Sequence, residues 1–471
     1  MRSTTFALAL LAAATLAACG GDSPSAGDQS LQASYTQQVT FGDSLSDVGS
    51  YAVGPVRQLG GGKYTINGDS TARNPALSGK VWVELMAAQF GLPAPCAAQT
   101  GLSGNAAQGF AVPVQNFATC YNYAQGGARV SNPVGPGNAA TGSALGSLTV
   151  PVSTQIATHL AKTGGRFSGT EIVFVMAGGN DVFALLTGLQ TAATAAGQRA
   201  GAAEGARVAG ETYISTLAGL LGARANNPTV ATQLIAQTMA LEARRAGSTS
   251  QSITTAGVLL ASIQPGNNAV GAPSVYLPLV AQAQAAATTA GNAAGLAAGQ
   301  KAGADYAAAN GPQLVTQMAA AGAELAAIVN TQVVAKGANR VVVNNLPDVG
   351  NSPAARAEEA QIRQLVFAMA DAFNNALKSG LGESDKVLYV DLLAASRDQM
   401  TNPAAYGLTN VTTPACGANP LGDTSLVCTA SNLIAGDVSH YMYADDVHPT
   451  PYVHGLIAQY VSTQLVRRGW M

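Results

Sequence analysis

Four short apolar runs, at residues 39–41, 172–176, 341–343 and 387–391, alternate with longer segments whose apolar residues fall at helical spacing. Runs this short and this apolar suit strands covered on both faces, the habit of parallel sheets. The helical segments are residues 81–90, 313–334, 358–379 and 451–466. Strands alternating with helices predict an α/β chain, a three-layer α/β/α sandwich around a mostly parallel sheet of about five strands. Ligands of such sheets bind beyond the carboxyl ends of the strands. The residues just after each apolar run therefore bear directly on function.

The first run leads into Gly42-Asp43-Ser44-Leu45-Ser46-Asp47. A hydroxyl on Ser44 would stand at the C-terminal end of a strand, where a helix begins and backbone N–H groups point outward. Gly-Asp-Ser-Leu alone is an ordinary turn. The far end of the chain adds Asp445-Asp446-Val447-His448-Pro449. A serine hydroxyl becomes a nucleophile when a neutral imidazole accepts its proton. The imidazole in turn needs an acceptor on its other nitrogen to hold the tautomer. Asp445 and His448 could supply both from one loop. Asp446 is the rival orienter, and the three-residue spacing favours Asp445.

Two further segments could donate to an oxyanion. Asn122-Tyr123-Ala124-Gln125-Gly126-Gly127-Ala128 ends in paired glycines, which let backbone N–H groups approach a substrate closely. Gly178-Gly179-Asn180-Asp181 comes after the run at 172–176, and its Asn180 carboxamide is a donor. Singly, glycine pairs mark turns and Asn-Asp after a strand caps a helix. The order of all four blocks in one chain gives them weight. No Gly-x-Ser-x-Gly elbow occurs, which disfavours the α/β-hydrolase form of the triad.

In that order the blocks resemble those of bacterial SGNH hydrolases, also called the GDSL esterase/lipase family. The resemblance covers roughly residues 35–183 and 312–469. It is supported by the Leu346-Pro347 turn after the run at 341–343, and by residues 402–411, which resemble a segment of secreted and autotransporter-borne members. It implies a flavodoxin-like sandwich with Ser44 as nucleophile, His448 as base and Asp445 as orienter. The implied oxyanion hole is the Ser44 N–H, the Gly127 N–H and the Asn180 side chain. The implied activity is that of an exported serine ester hydrolase acting on a lipid or small acyl ester, without a cofactor. An acyltransferase using lipid acyl donors, or a non-catalytic surface lipoprotein on the same scaffold, stays open. So do polysaccharide deacetylation and polyester depolymerisation. No barrel pattern comes between the last block and Met471, so an autotransporter arrangement is not expected.

Residues 1–19 read as an export signal: Arg2, an apolar stretch at 6–18, then Leu16-Ala17-Ala18-Cys19. The apolar run is too short for a membrane-spanning helix. The last four residues resemble a bacterial lipobox, in which Cys19 would be acylated after cleavage. An ordinary signal peptide cleaved near Ala18 is the alternative. Residues 20–35 read as a tether and 36–471 as the hydrolase domain. The expected location is outside the cytoplasm, on a membrane through the lipid anchor or secreted.

Apart from Cys19, the cysteines are Cys96, Cys120, Cys416 and Cys428. Export permits disulfides, and of three connectivities the local pairing, Cys96 with Cys120 and Cys416 with Cys428, closes two short turn-rich loops. There is no Cys-x-x-Cys pair. No helix-borne metal motif frames His159, His440, His448 or His454, so no metal is expected. The net charge is −2, only 10% of residues are charged, and no basic stripe marks a nucleic-acid partner. Gly60-Gly61-Gly62-Lys63 lacks the rest of a phosphate loop and reads as an ordinary loop.

Residues 184–311 interrupt the pattern with Ala, Gly, Thr and Gln. Alanine favours helix and each interior glycine weakens it by up to about 1 kcal/mol. The Ala/Gly similarity reads as compositional, without a fixed-period repeat. Three readings stand: a helical lid or arm over the acyl pocket, an extension of the helical layer, or a largely disordered segment.

Overall fold

The computed structural model describes residues 33–68 and 79–471. The export signal, Cys19 and most of the expected tether lie outside the described residues. The strands are β1 (Gln38–Gly42), β2 (Gln99–Ser103), β3 (Ala111–Asn116), β4 (Ile172–Met176), β5 (Val341–Asn344) and β6 (Val387–Val390). The principal helices are α1 (Trp82–Gln89), α2 (Val152–Lys162), α3 (Gly179–Gly222), α4 (Pro228–Ala243), α5 (Ser250–Ser262), α6 (Pro273–Ile328), α7 (Ala360–Leu381), α8 (Leu392–Thr401) and α9 (Pro451–Arg468). Among the described residues, no helix is long and apolar enough to cross a membrane.

One compact unit comprises the described residues up to Asn180 together with Ala321–Met471. Its parallel sheet has the order β1-β4-β5-β6, with Gly42 opposite Met176 and Val175 opposite Val343. All five residues of β1 and of β4 are buried, as parallel strands covered on both faces require. The four apolar runs of the sequence are these four strands. In place of the expected fifth strand there is a single bridge of Asn122 alongside Thr40. β2 and β3 form a separate antiparallel ribbon. Its second strand is largely exposed and contains Pro113, so no apolar alternation announces it.

The two sheet faces carry different helices. On one, Ile172, Phe174 and Met176 pack with Trp82 and Met86 of α1 and with Val461 and Leu465 of α9. Trp82 meets Phe174 edge-on, with ring centroids 5.0 Å apart. On the other, Phe41 stacks on Tyr123 at 5.3 Å and meets the ring of His159 from α2 at 5.6 Å. Burial, and then Lys162, pull the His159 pKa down to about 4, so this histidine stays neutral in an aromatic core.

Residues Asp181–Ala320 form a second compact unit, and this stretch is helical rather than disordered. Leu217, Leu221, Ile235, Met239, Val258 and Ala261 are its core. Its glycines are not scattered filler. Gly197, Gly201 and Gly205 on α3 recur every fourth residue and face Gly299, Gly295 and Gly291 on α6. A Cβ on Gly201 would stand 2.7 Å from the Gly295 carbonyl oxygen, so the two backbones touch where no side chain fits. Gly210, on the same helix, is exposed with nothing within 4 Å of its Cβ position. Gly210→Ala is therefore expected to stabilise the unit by up to about 1 kcal/mol through helix propensity. Gly201→Ala is expected to destabilise it by about 1–3 kcal/mol through overpacking. Denaturant unfolding of the two variants checks the opposite signs.

Candidate active site

β1 delivers Ser44 to the carboxyl end of the sheet through a turn that tolerates no side chain at Gly42. A Cβ there would stand 2.4 Å from the Met176 carbonyl oxygen. Gln155 of α2 clamps this peptide from both sides: Gly42 N–H donates to its Oε1 and its Nε2 donates to the Gly42 carbonyl, each at 2.8 Å. Asp43 then caps a single 3₁₀ turn, Ser44–Ser46, accepting from the Leu45 N–H at 3.1 Å. Ser44 is 6% exposed.

The partner loop comes from the start of α9. Thr450 caps that helix, and Ala444 N–H donates to the His448 carbonyl at 2.7 Å, closing the loop. His448 Nε2 lies 2.8 Å from Ser44 Oγ. Its Nδ1 lies 2.8 Å from both carboxylate oxygens of Asp445. Asp445 also accepts from the N–H groups of Ser425 (2.7 Å), His448 (2.8 Å) and Val447 (3.0 Å). Burial opposes its charge, but His448 and these donors outweigh burial and hold the carboxyl well below the usual carboxylate range. An ionised carboxylate only accepts. Nδ1 therefore carries the proton, and Nε2 is left to accept from the Ser44 hydroxyl. Asp446 is exposed, and its contribution is a backbone carbonyl that accepts from Ala354 N–H.

Gly127 has φ +80°, and a Cβ there would meet the Pro136 carbonyl oxygen at 2.3 Å. Asn180 comes after β4, and its Nδ2 donates to the Ala128 carbonyl at 2.9 Å. A carboxamide has two N–H donors, and this contact to the Gly126-Gly127-Ala128 segment uses one of them. Gly178 (φ +119°) sets this approach, because a side chain there would run into Phe373 at 2.5 Å.

Sequence reasoning misses several residues that position this site. Asp47 is fully buried and accepts from Gly49 N–H, Ser50 N–H and Ser50 Oγ, and across the chain from Gly126 N–H at 3.0 Å. It thereby ties the Ser44 turn to the paired glycines. Tyr51 holds the Gly126 carbonyl at 2.8 Å. The Tyr64 ring lies on Gly126 and 4.8 Å from the His448 ring. Ser425, which orients Asp445, sits in the loop closed by Cys416–Cys428, and Cys96–Cys120 is also paired. The local disulfide pairing is therefore the one formed. Asp47 is legible as part of the Gly42–Asp47 block; the others carry no local signal. His454 is buried, with its pKa held down to about 3 by burial and then by His448 and Lys63, and its Nδ1 accepts from Trp82 N–H. His440 stacks on Tyr452.

A hydroxyl, an imidazole and an ionised carboxylate in one hydrogen-bonded line can transfer a proton away from the hydroxyl. The family model of the GDSL-like lipase/acylhydrolase matches residues 39–273 and 289–461. The chain is 29% identical over 151 residues to the GDSL esterase/lipase APG of Arabidopsis thaliana, a match spanning 30% of this chain and 41% of that protein. It is 27% identical over 129 residues to Lipase 1 of Photorhabdus luminescens, spanning 25% of this chain and 19% of that protein. The chain thus spans about two-fifths or less of the length of these relatives.

Proposed function

The chain belongs to the GDSL-like lipase/acylhydrolase family, and from that premise we propose that it is an exported serine ester hydrolase working through an acyl-enzyme on Ser44. The observation that carries this reading is the unbroken line from Ser44 Oγ through His448 to Asp445, drawn from opposite ends of the chain. Ser44 Oγ attacks the ester carbonyl while His448 Nε2 takes its proton. Asp445 stabilises the imidazolium. The Ser44 N–H, the Gly127 N–H and the second Asn180 N–H receive the oxyanion. His448 then protonates the leaving alcohol, and water resolves the acyl-enzyme by the same path.

The test is hydrolysis of p-nitrophenyl esters from acetyl to palmitoyl, with fluorophosphonate labelling alongside. Turnover at one or more chain lengths is expected. Absence of both turnover and labelling in folded protein would sink the reading. Asn180→Ala is expected to lower kcat by about 10²–10³-fold, the usual cost of one oxyanion donor, with the melting temperature checked in parallel.

Export with a lipid anchor is part of the proposal. It rests on Leu16-Ala17-Ala18-Cys19 and on two disulfides that suit an oxidising compartment. In a bacterial host, labelled palmitate is expected in the membrane fraction with the full chain and to be lost with Cys19→Ala. Equal labelling of both would remove the anchor from the reading.

A further inference from the structure

Tyr64 stands outside every block that the sequence marks for chemistry, yet its ring lies against the base. The ring centroids of Tyr64 and His448 are 4.8 Å apart, and the planes are tilted by 36°. The edge of the imidazole is taken by Asp445 at Nδ1 and Ser44 at Nε2. Its face meets the phenol.

The chain around Tyr64 is tied to the residues around His448. Thr65, the next residue, donates from Oγ1 to the carbonyl of Pro449, the residue after His448, at 2.9 Å. Asn67 Oδ1 accepts from Lys63 N–H at 3.0 Å and its Nδ2 donates to the Lys63 carbonyl at 2.9 Å, which closes the turn that carries Tyr64. The same Nδ2 lies 3.1 Å from the carbonyl of Ser425, whose N–H orients Asp445. Tyr51 meets Tyr64 edge-on, with centroids 6.4 Å apart. A Cβ on Gly126 would collide with the Tyr64 ring. The ring is thus wedged between the base and the paired glycines. Burial, and then Tyr51 and Asp47, push the Tyr64 hydroxyl well above its ordinary value, so the ring stays a neutral phenol.

A neutral aromatic face within about 6 Å of a cation attracts it through the ring quadrupole. A neutral imidazole gains little from such a face, whereas an imidazolium gains a stabilising contact. We propose that Tyr64 is a positioning residue for the reaction: its π face holds the His448 ring in line and stabilises the imidazolium that forms when Ser44 gives up its proton. The proton transfer rests on the hydrolase reading, and the ring contact does not. The other ionisable groups on the elements packed about His448 are Asp445 and Asp446 of its own loop and His454 of α9. Lys63 and Glu84, which pair at 3.0 Å, and Asp47 beside Tyr64 complete the set. All of them are kept in the variants that follow.

Titration of His448 by NMR tests the contact without turnover. The full chain carries isotope-labelled histidine, and the His448 signal is the one lost in His448→Gln. Tyr64→Leu removes the π face and is expected to move the imidazole midpoint down by about half a unit or more, the worth of one partly exposed cation–π contact. Tyr64→Phe keeps the face and is expected to leave the midpoint within about 0.2 unit. A ring-fluorinated phenylalanine at position 64 keeps the size of the ring but withdraws its π electrons. It is expected to match the downward move of leucine, and it keeps the test decisive should Tyr64→Leu fail to fold. A midpoint that stays or rises in Tyr64→Leu, a move in Tyr64→Phe as large as in Tyr64→Leu, or a fluorinated ring that titrates like phenylalanine would overturn the proposal. In turnover of p-nitrophenyl acetate, the acid limb of kcat/KM is expected to follow the same moves. Tyr64→Leu is expected to lower the plateau by about threefold, which is half a unit read as a rate. If the unsubstituted chain fails to turn over the ester, the hydrolase reading fails, while the NMR titration still decides the ring contact.

Discussion

Ser44→Ala is expected to lower kcat/KM for p-nitrophenyl acetate by about 10⁴-fold or more, since a triad without its nucleophile keeps only the catalysis of its binding and oxyanion groups. The structure makes this a clean substitution. The Ser44 side chain reaches His448 Nε2 at 2.8 Å, whereas the turn itself is held by Asp43, Gln155 and backbone bonds that alanine leaves alone. The fold and the melting temperature should therefore change little. Ser46 is the matched control: it is also buried, two residues on, and accepts from Trp82 Nε1 rather than facing the imidazole. Ser46→Ala is expected to keep fluorophosphonate labelling and Ser44→Ala to abolish it. Rates within tenfold of the unsubstituted chain for Ser44→Ala would show that Ser44 is not the nucleophile.

The sequence is most readable where one short segment contains its own explanation. The four sheet strands are short, mostly apolar runs, and both faces of that sheet are covered. The residues of the candidate triad sit in blocks whose chemistry is internal: a turn with a serine, and a loop with an aspartate three residues before a histidine. Legibility fails where a contact joins distant segments. Gln155 reaches Gly42 across 113 positions, and nothing near Gln155 hints at it. Ser425 is an unremarkable loop residue until the Cys416–Cys428 bridge brings its N–H to Asp445. The glycines of residues 184–311 mislead for a related reason. Their four-residue period looks like low-complexity sequence until Gly197, Gly201 and Gly205 are seen against Gly299, Gly295 and Gly291, where the period is that of one helix face on another.

Asp445→Asn is expected to cost about 10⁴-fold in kcat/KM, through the tautomer of His448 rather than through a lost contact. The carboxylate accepts at Nδ1 and from three backbone N–H groups, so every lone pair facing inward is in use. An asparagine must turn an NH₂ toward one side of this cluster. If it faces Nδ1, that nitrogen becomes the acceptor, Nε2 carries the proton, and Ser44 faces a donor instead of a base. If it faces Ser425 N–H, a buried donor loses its acceptor and the loop is strained. The same cluster carries a pH signature. The folded-state pKa of Asp445 is depressed, so its stabilisation is fully present above the unfolded value of about 3.9 and drains away as pH falls below it. The unsubstituted chain should lose stability in acid more steeply than Asp445→Asn, whose amide does not titrate. Asp446→Asn, one residue away but exposed, should do neither. Measuring kcat/KM and acid unfolding for both variants separates the two neighbours: a larger loss of rate in Asp446→Asn would move the orienting role to Asp446, against the 2.8 Å contacts that Asp445 makes.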